Sequence, residues 1–318
     1  MTDAPTPDGP PSTRTTTMED SAMTTAQDVR PARPAPPTTT RAARPGTGAR
    51  TTTSFRGRVV ALASAAWRPA LVLLVLFGVW WFVAWRELVP AYLVPSPGAV
   101  WETMVEDWAM LAEHTWVTTM ETVVGFVLAA VIGVATAVLL VYSPTAEKSL
   151  YPLILFAQVI PKIAIAPILV VWFGFGAAPK IILAVLIAFF PVVVSAVAGL
   201  RSIDPELLEM SATMGASRWK TFRKIRFPGS LPQLMSGLKV AVTLAVVGAV
   251  VGEFVGADRG LGYVLLLASG NLDAPLLFAD LILMSLIGVV LFLLVELLER
   301  LLIPWHASRR GNVVLASS

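Results

Sequence analysis

A chain of 318 residues that is 56% hydrophobic and only 14% charged departs from soluble globular proteins, where charged residues make up about 25%. With a mean hydropathy of +0.73, its apolar residues must fall in blocks long enough for a bilayer, which excludes an ordinary soluble enzyme. The absence of cysteine excludes disulfides, thiolate metal sites and a cysteine nucleophile; two distant histidines, His114 and His306, are too little material for a histidine metal site or triad, and a net charge of +3 is too small to point to nucleic acid.

In chain order, residues 1–57 come first, rich in Pro, Thr and Arg with almost no aliphatic periodicity. Such a segment cannot bury enough apolar surface to offset the entropy of ordering, and a disordered tail is expected. The first long apolar run begins only at Ala70, too late for a signal peptide. Residues 58–310 then carry six apolar stretches, each read as a membrane span. The first is Ala70 to Trp85, closing on Trp80, Trp81 and Trp85, aromatic residues of the kind found at membrane interfaces. The second is roughly Val117 to Tyr142. The third, Leu150 to Phe175, is interrupted by Pro161, Lys162 and Pro167. The fourth is Ile181 to Leu200, the fifth runs from about Pro232 to Phe254, and the sixth from about Leu277 to Leu302. Small residues recur every fourth position on the second span (Gly125, Ala129, Gly133, Ala137) and on the fifth (Gly237, Ala241, Ala245, Ala249), a spacing that lets backbones approach closely within the chain or against a second copy.

Loop charges orient the bundle, because Lys and Arg are retained on the cytoplasmic side. Arginine outnumbers acids before the first span, six cations between Arg201 and Arg226 outweigh three acids between spans four and five, and the C-terminal end carries Arg300, Arg309 and Arg310. The Arg86–Val117 loop is acidic. Lys180, in the loop between spans three and four, points the other way. The expectation is a multi-pass protein of a bacterial-type cell membrane with both termini in the cytoplasm.

Between spans four and five lies the stretch 202–231, SIDPELLEMSATMGASRWKTFRKIRFPGSL. Asp204 is a good N-cap and Pro205 suits the first helical position, so a helix should run to Gly215, which can take the left-handed conformation. Ser217 can cap a second short helix through Lys224, which Pro228 should stop. A helix, a glycine turn and a helix form a knob too small for a core of its own, so it should dock into a partner.

These residues resemble a known family, the membrane subunits of binding-protein-dependent ATP-binding cassette importers. Their cytoplasmic consensus is Glu-Ala-Ala, three residues, Gly, nine residues, Ile, any residue, Leu-Pro. Here Glu209-Met210-Ser211, Gly215, Ile225 and Phe227-Pro228 stand at those spacings, with Met210 and Ser211 replacing the alanines and Phe227 the leucine. The resemblance runs from Trp80 to Leu302. It includes Leu93-Val94-Pro95-Ser96-Pro97 with Val100-Trp101, Pro167-Ile168-Leu169 through Trp172-Phe173-Gly174, and Gly260-Leu261-Gly262-Tyr263, which are similar to the subgroup serving nitrate, sulfonates such as taurine, and thiamine-precursor pyrimidines. It implies an all-α permease that works as a homodimer with two cytoplasmic ATPase subunits and an extracytoplasmic binding protein. Nothing here resembles the GxxxxGK[ST] phosphate loop, so ATP and Mg would be held by the partner ATPase, and this chain would be a transport subunit, not an enzyme. The family's motor-contact positions carry over to Glu209, Met210, Ser211, Gly215, Ile225, Phe227 and Pro228.

Charges within the spans supply candidates for the pathway. Lys162 lies deep in the third span, where an unpaired charge costs about 2.5–3.5 kcal/mol. Its flanking prolines break the helix, a feature tolerated where it lines a cavity or is covered by protein. Glu121 and Glu253 also belong to the outer half. Three readings stand open: Lys162 is the ion-pair partner of Glu121 or Glu253, it meets an anionic solute, or it snorkels to the interface. Glu121, Pro161, Lys162, Pro167 and Glu253 are the pathway candidates, and Lys239 is expected to snorkel to the interface without a partner. A membrane-embedded enzyme, the rival from another class, would want clustered His, Asp or Glu on facing spans.

Overall fold

The computed structural model describes residues 55–304; the expected disordered tail, apart from its last three residues, and the chain beyond Pro304 lie outside them. Every regular element among the described residues is helical: α1 (Phe55–Trp85), α2 (Pro97–Glu106), α3 (Trp108–Tyr142), α4 (Pro144–Val159), α5 (Lys162–Phe173), α6 (Ala177–Arg201), α7 (Pro205–Thr213), α8 (Arg218–Thr221), a π-helical turn (Phe222–Arg226), α9 (Phe227–Phe254), α10 (Leu261–Asn271) and α11 (Ala274–Leu302).

Among the described residues four helices are long and apolar enough to cross a bilayer, with a fifth if α4 and α5, bent by 95° at their junction, are counted as one broken span. The expected first span appears as Ala70–Trp85, a shorter apolar stretch at the end of α1. The loops expected before the second span and after the fifth are themselves partly helical, as α2 and α10. Ser96 caps α2, its hydroxyl accepting from the Ala99 N–H, with Pro97 in the first turn. The Trp80 indole N–H donates to the Pro95 carbonyl at 3.0 Å, fastening α1 to the approach to α2.

At the centre stands α6, with α3 and α9 laid against it. Both small-residue stripes point into this packing: Ala129, Ala137, Ala241, Ala245 and Ala249 are fully buried with Ala184, Ala188 and Val192 of α6. A side chain on Gly248 would meet the Ala184 Cα at 2.6 Å, and one on Gly133 the Val192 Cγ1 at 2.8 Å. The stripes therefore serve close approach within one chain. A second apolar cluster joins α9, α10 and α11 through residues such as Val242, Val264 and Leu283.

The segment after α6 departs from its expected shape in one respect. Asp204 caps α7 as anticipated, accepting from the Glu206 N–H at 3.0 Å, and Ser217 caps α8, accepting from the Lys220 N–H at 3.3 Å. Pro228, however, does not stop the second helix; the chain is continuously helical from Arg218 to Phe254. The wide turn at Phe222–Arg226 precedes Pro228 and makes room for its ring, which would otherwise clash with a carbonyl of the preceding turn. Pro232, expected at the start of the fifth span, lies inside α9.

Candidate functional site

Two regions at opposite ends of α6 and α9 hold the polar residues of interest. At the end where α6 finishes and α9 begins, α7 and α8 form the small knob. Gly215 has φ +70, and its N–H donates to the Ala212 carbonyl while the Ala216 N–H donates to the Ser211 carbonyl, both at 3.0 Å. This is the two-bond helix ending that a left-handed residue permits. Ser211, buried, donates to the Leu208 carbonyl at 2.8 Å and lies 3.2 Å from the Thr221 hydroxyl, linking α7 to α8. Glu209 and Met210 point outward, Ile225 and Pro228 are half-buried, and Phe227 stacks obliquely on Phe222. Leu207, Met210, Met214 and Trp219 present an exposed apolar surface. An ion pair from Arg201 to Glu147 at 2.7 Å ties the knob end of α6 to the start of α4.

At the other end, a buried polar network joins α3, α6, α9 and the turn before α10. Lys180 Nζ donates to Glu121 Oε1 at 2.8 Å, with both side chains about 95% buried, and also reaches the Arg259 carbonyl at 3.4 Å. Glu253 accepts from the Thr118 hydroxyl at 2.7 Å and from the Gly262 N–H at 2.5 Å. The Leu261 N–H donates to Thr118 Oγ1 at 2.8 Å, and the Gly260 N–H to His114 Nδ1 at 2.9 Å. Three consecutive N–H groups at the start of α10 are thus satisfied by side chains from α3 and α9. A side chain at Gly260, where φ is +111, would overlap the Glu253 carboxylate, which explains a glycine there.

This network removes one of the open readings of Lys162, the ion pair with Glu121 or Glu253. Glu121 is taken by Lys180, and Glu253 by Thr118 and the Gly262 N–H, so neither meets Lys162. The ammonium of Lys162 instead donates to the Gln158 carbonyl at 3.1 Å, across the break from the last turn of α4, where Pro161 contributes no N–H and carbonyls are left free. Lys180 itself is not in a loop: it lies in the first turns of α6. A side chain on Gly252 would fall 2.8 Å from the Lys180 Cα, which shows how closely α9 covers it. A single cation that contradicted the loop-charge pattern was the signal that it is buried with an acid. Lys239 also has a partner, Glu299 of α11, at 2.5 Å. Pro167, expected to interrupt the span, is accommodated inside α5, and the break falls at Ile160–Pro161. Pro161 and Lys162 line or flank an apolar cavity of about 490 Å³ between α4, α5 and α6.

Residues 125–304, which hold α6, α9 and the knob between them, match the model of the "binding-protein-dependent transport system inner membrane component". The chain belongs to that family. It is 36% identical over 242 residues, 76% of this chain and 96% of the relative, to a formylaminopyrimidine transport permease of Halalkalibacterium halodurans. It is 30% identical over 242 residues, 74% of this chain and 88% of the relative, to a taurine transport permease of Escherichia coli. The fold is shared with the MetNI methionine ABC transporter in an inward-facing form, at a TM-score of 0.55 and 24% identity over 61% of this chain and 97% of that one. This family member is accordingly a multi-pass membrane transport subunit of importer type, and not an enzyme.

Proposed function

We propose that the chain forms, with a second copy of itself, the translocation pathway of an ATP-binding cassette importer for a small anionic solute of the nitrate, sulfonate or taurine kind. Two ATPase subunits holding ATP and Mg would act from the cytoplasm, and an extracytoplasmic binding protein would deliver the solute. The observation that carries the motor assignment is the knob: α7 and α8 are locked to each other by Ser211 and the Gly215 turn, and they join α6 and α9 without a flexible linker. A rigid lever of that kind can turn a displacement of a docked subunit into a tilt of the helices it continues. Glu209, Met210 and Trp219 supply the outward-facing contacts. On this reading both termini and the knob lie in the cytoplasm, and the network around Glu121, Lys180 and Glu253 lies at the outer end.

The taurine permease relative favours the anionic solute, and the formylaminopyrimidine permease relative favours the second reading, a thiamine-precursor pyrimidine. Uptake by proteoliposomes holding the permease, its ATPase and its binding protein separates them. ATP-dependent accumulation of taurine or an alkanesulfonate, without accumulation of the pyrimidine, is the expected result. Pyrimidine uptake alone would establish the second reading, and ATP-independent flux of both would remove the importer assignment.

A further inference from the structure

The cavity at the break between α4 and α5 sets a cation with protons to spare against an apolar concavity. Its volume of about 490 Å³ falls within the range of small-molecule sites. Leu153, Ile154, Ile165, Leu186, Phe189 and Phe190 make most of its wall. Its polar groups are the Lys162 ammonium, the Gln158 amide and the Thr136 hydroxyl, and the hydroxyl is already donated to the Ile132 carbonyl at 2.8 Å. Lys162 carries three donors; among the described residues only the Gln158 carbonyl accepts from it. Among the described residues it makes no ion pair, and Glu121 and Glu253 are engaged elsewhere. A cation against apolar walls, with its side chain held by one carbonyl, is complementary to an anionic group on an apolar body.

We infer that this cavity is a subsite for an amphipathic organic anion, an alkyl- or arylsulfonate or similar carboxylate, with the anionic group on Lys162 and the carbon chain against Leu186, Phe189 and Phe190. The inference rests on the permease reading and narrows it. Nitrate, small and polar on every side, would leave the apolar wall unmatched. A lipid phosphate has the same charge chemistry as a sulfonate, and the test separates the two.

The absence of cysteine makes a single introduced thiol an unambiguous probe. Ala157→Cys places one on the cavity wall with almost no change in volume. The permease–ATPase complex, reconstituted in phosphatidylcholine vesicles, is treated with sulfonatoethyl methanethiosulfonate, which is itself a small sulfonate, or with its trimethylammonium counterpart. Rates are normalised to an exposed thiol at Asn271→Cys, at the end of α10 and away from the knob. The anionic reagent is expected to react on the order of tenfold faster than the cationic one. The preference should disappear with Lys162→Met and persist with Lys162→Arg. Hexanesulfonate should protect the thiol better than ethanesulfonate, by about fourfold per methylene, and nitrate should not protect. Equal rates for both reagents, or protection by nitrate as strong as by hexanesulfonate, would overturn the inference. So would a thiol shielded only when phosphatidylglycerol is added, because the occupant would then be lipid. Lost charge preference in a complex that still drives ATP-dependent uptake refutes the subsite alone; a retained preference without uptake refutes the permease reading alone.

Discussion

Lys180→Met is expected to be the most damaging single substitution within the bundle, lowering stability by about 3–5 kcal/mol, because it leaves the Glu121 carboxylate buried without its cation. Glu121 is 4% exposed and Lys180 3%, so water cannot take the place of the lost partner. Glu121 Oε2 already lacks a hydrogen-bond partner, which leaves the carboxylate little to fall back on. Lys180→Met combined with Glu121→Gln removes both charges at nearly constant volume and should recover most of the loss, since an absent pair costs far less than a broken one. The measurement is the temperature at which detergent-solubilised protein stops eluting as a single species. Lys162→Met, whose ammonium is held by one carbonyl in an open cavity, should melt close to the parent. A Lys180→Met protein that also melts with the parent would show that the pair contributes no stability.

Gly215→Val should have the largest effect on transport while leaving the bundle intact. No atom lies within 4 Å of where the new Cβ would sit, so the substitution meets no steric obstacle. The cost is backbone strain, about 1–3 kcal/mol for a β-branched residue at a positive φ. The chain can escape it only by rotating residue 215, which breaks the bonds from Gly215 and Ala216 to Ala212 and Ser211 and re-aims α8. Gly215→Asn is the control, because Asn accepts the left-handed conformation. ATP-dependent uptake in proteoliposomes should fall about tenfold or more for Val, the factor that a 1.4 kcal/mol deficit produces, and stay near the parent for Asn. Equal uptake by both variants would separate the turn from coupling.

Much of this arrangement was legible in the residues. Local signals are short-ranged and need no knowledge of the rest of the chain: Asp204 and Ser217 as caps, Gly215 as a left-handed turn and the four-residue stripes as packing faces all follow from backbone sterics and hydrogen bonding. The failures are of two kinds. Pro228 was read as a stop because a proline inside a regular α-helix loses a hydrogen bond and clashes; a π-helical turn ahead of it removes that conflict, and no local residue pattern announces such a turn. The ion pairs were missed for a different reason. Which acid meets which lysine is set by the packing of α3 on α6 and of α9 on α11, so Lys180 with Glu121 and Lys239 with Glu299, 59 and 60 positions apart in the chain, are products of tertiary packing. Lys162 is the mirror case, a residue singled out by its depth whose carboxylate partner does not exist among the described residues.

The central claim, that the knob between α6 and α9 receives the motor, is tested most directly by site-specific cross-linking of single-cysteine variants to the ATPase in native membranes. Met214 is 78% exposed at the tip of the knob, while Ala99 lies in α2, within the loop assigned to the outer side. Met214→Cys is expected to form an adduct with the ATPase subunit that changes in yield when ATP is added, and Ala99→Cys to form none. An adduct from Ala99→Cys, with Met214→Cys unreactive toward the ATPase, would place the motor at the opposite end of the bundle and contradict the account.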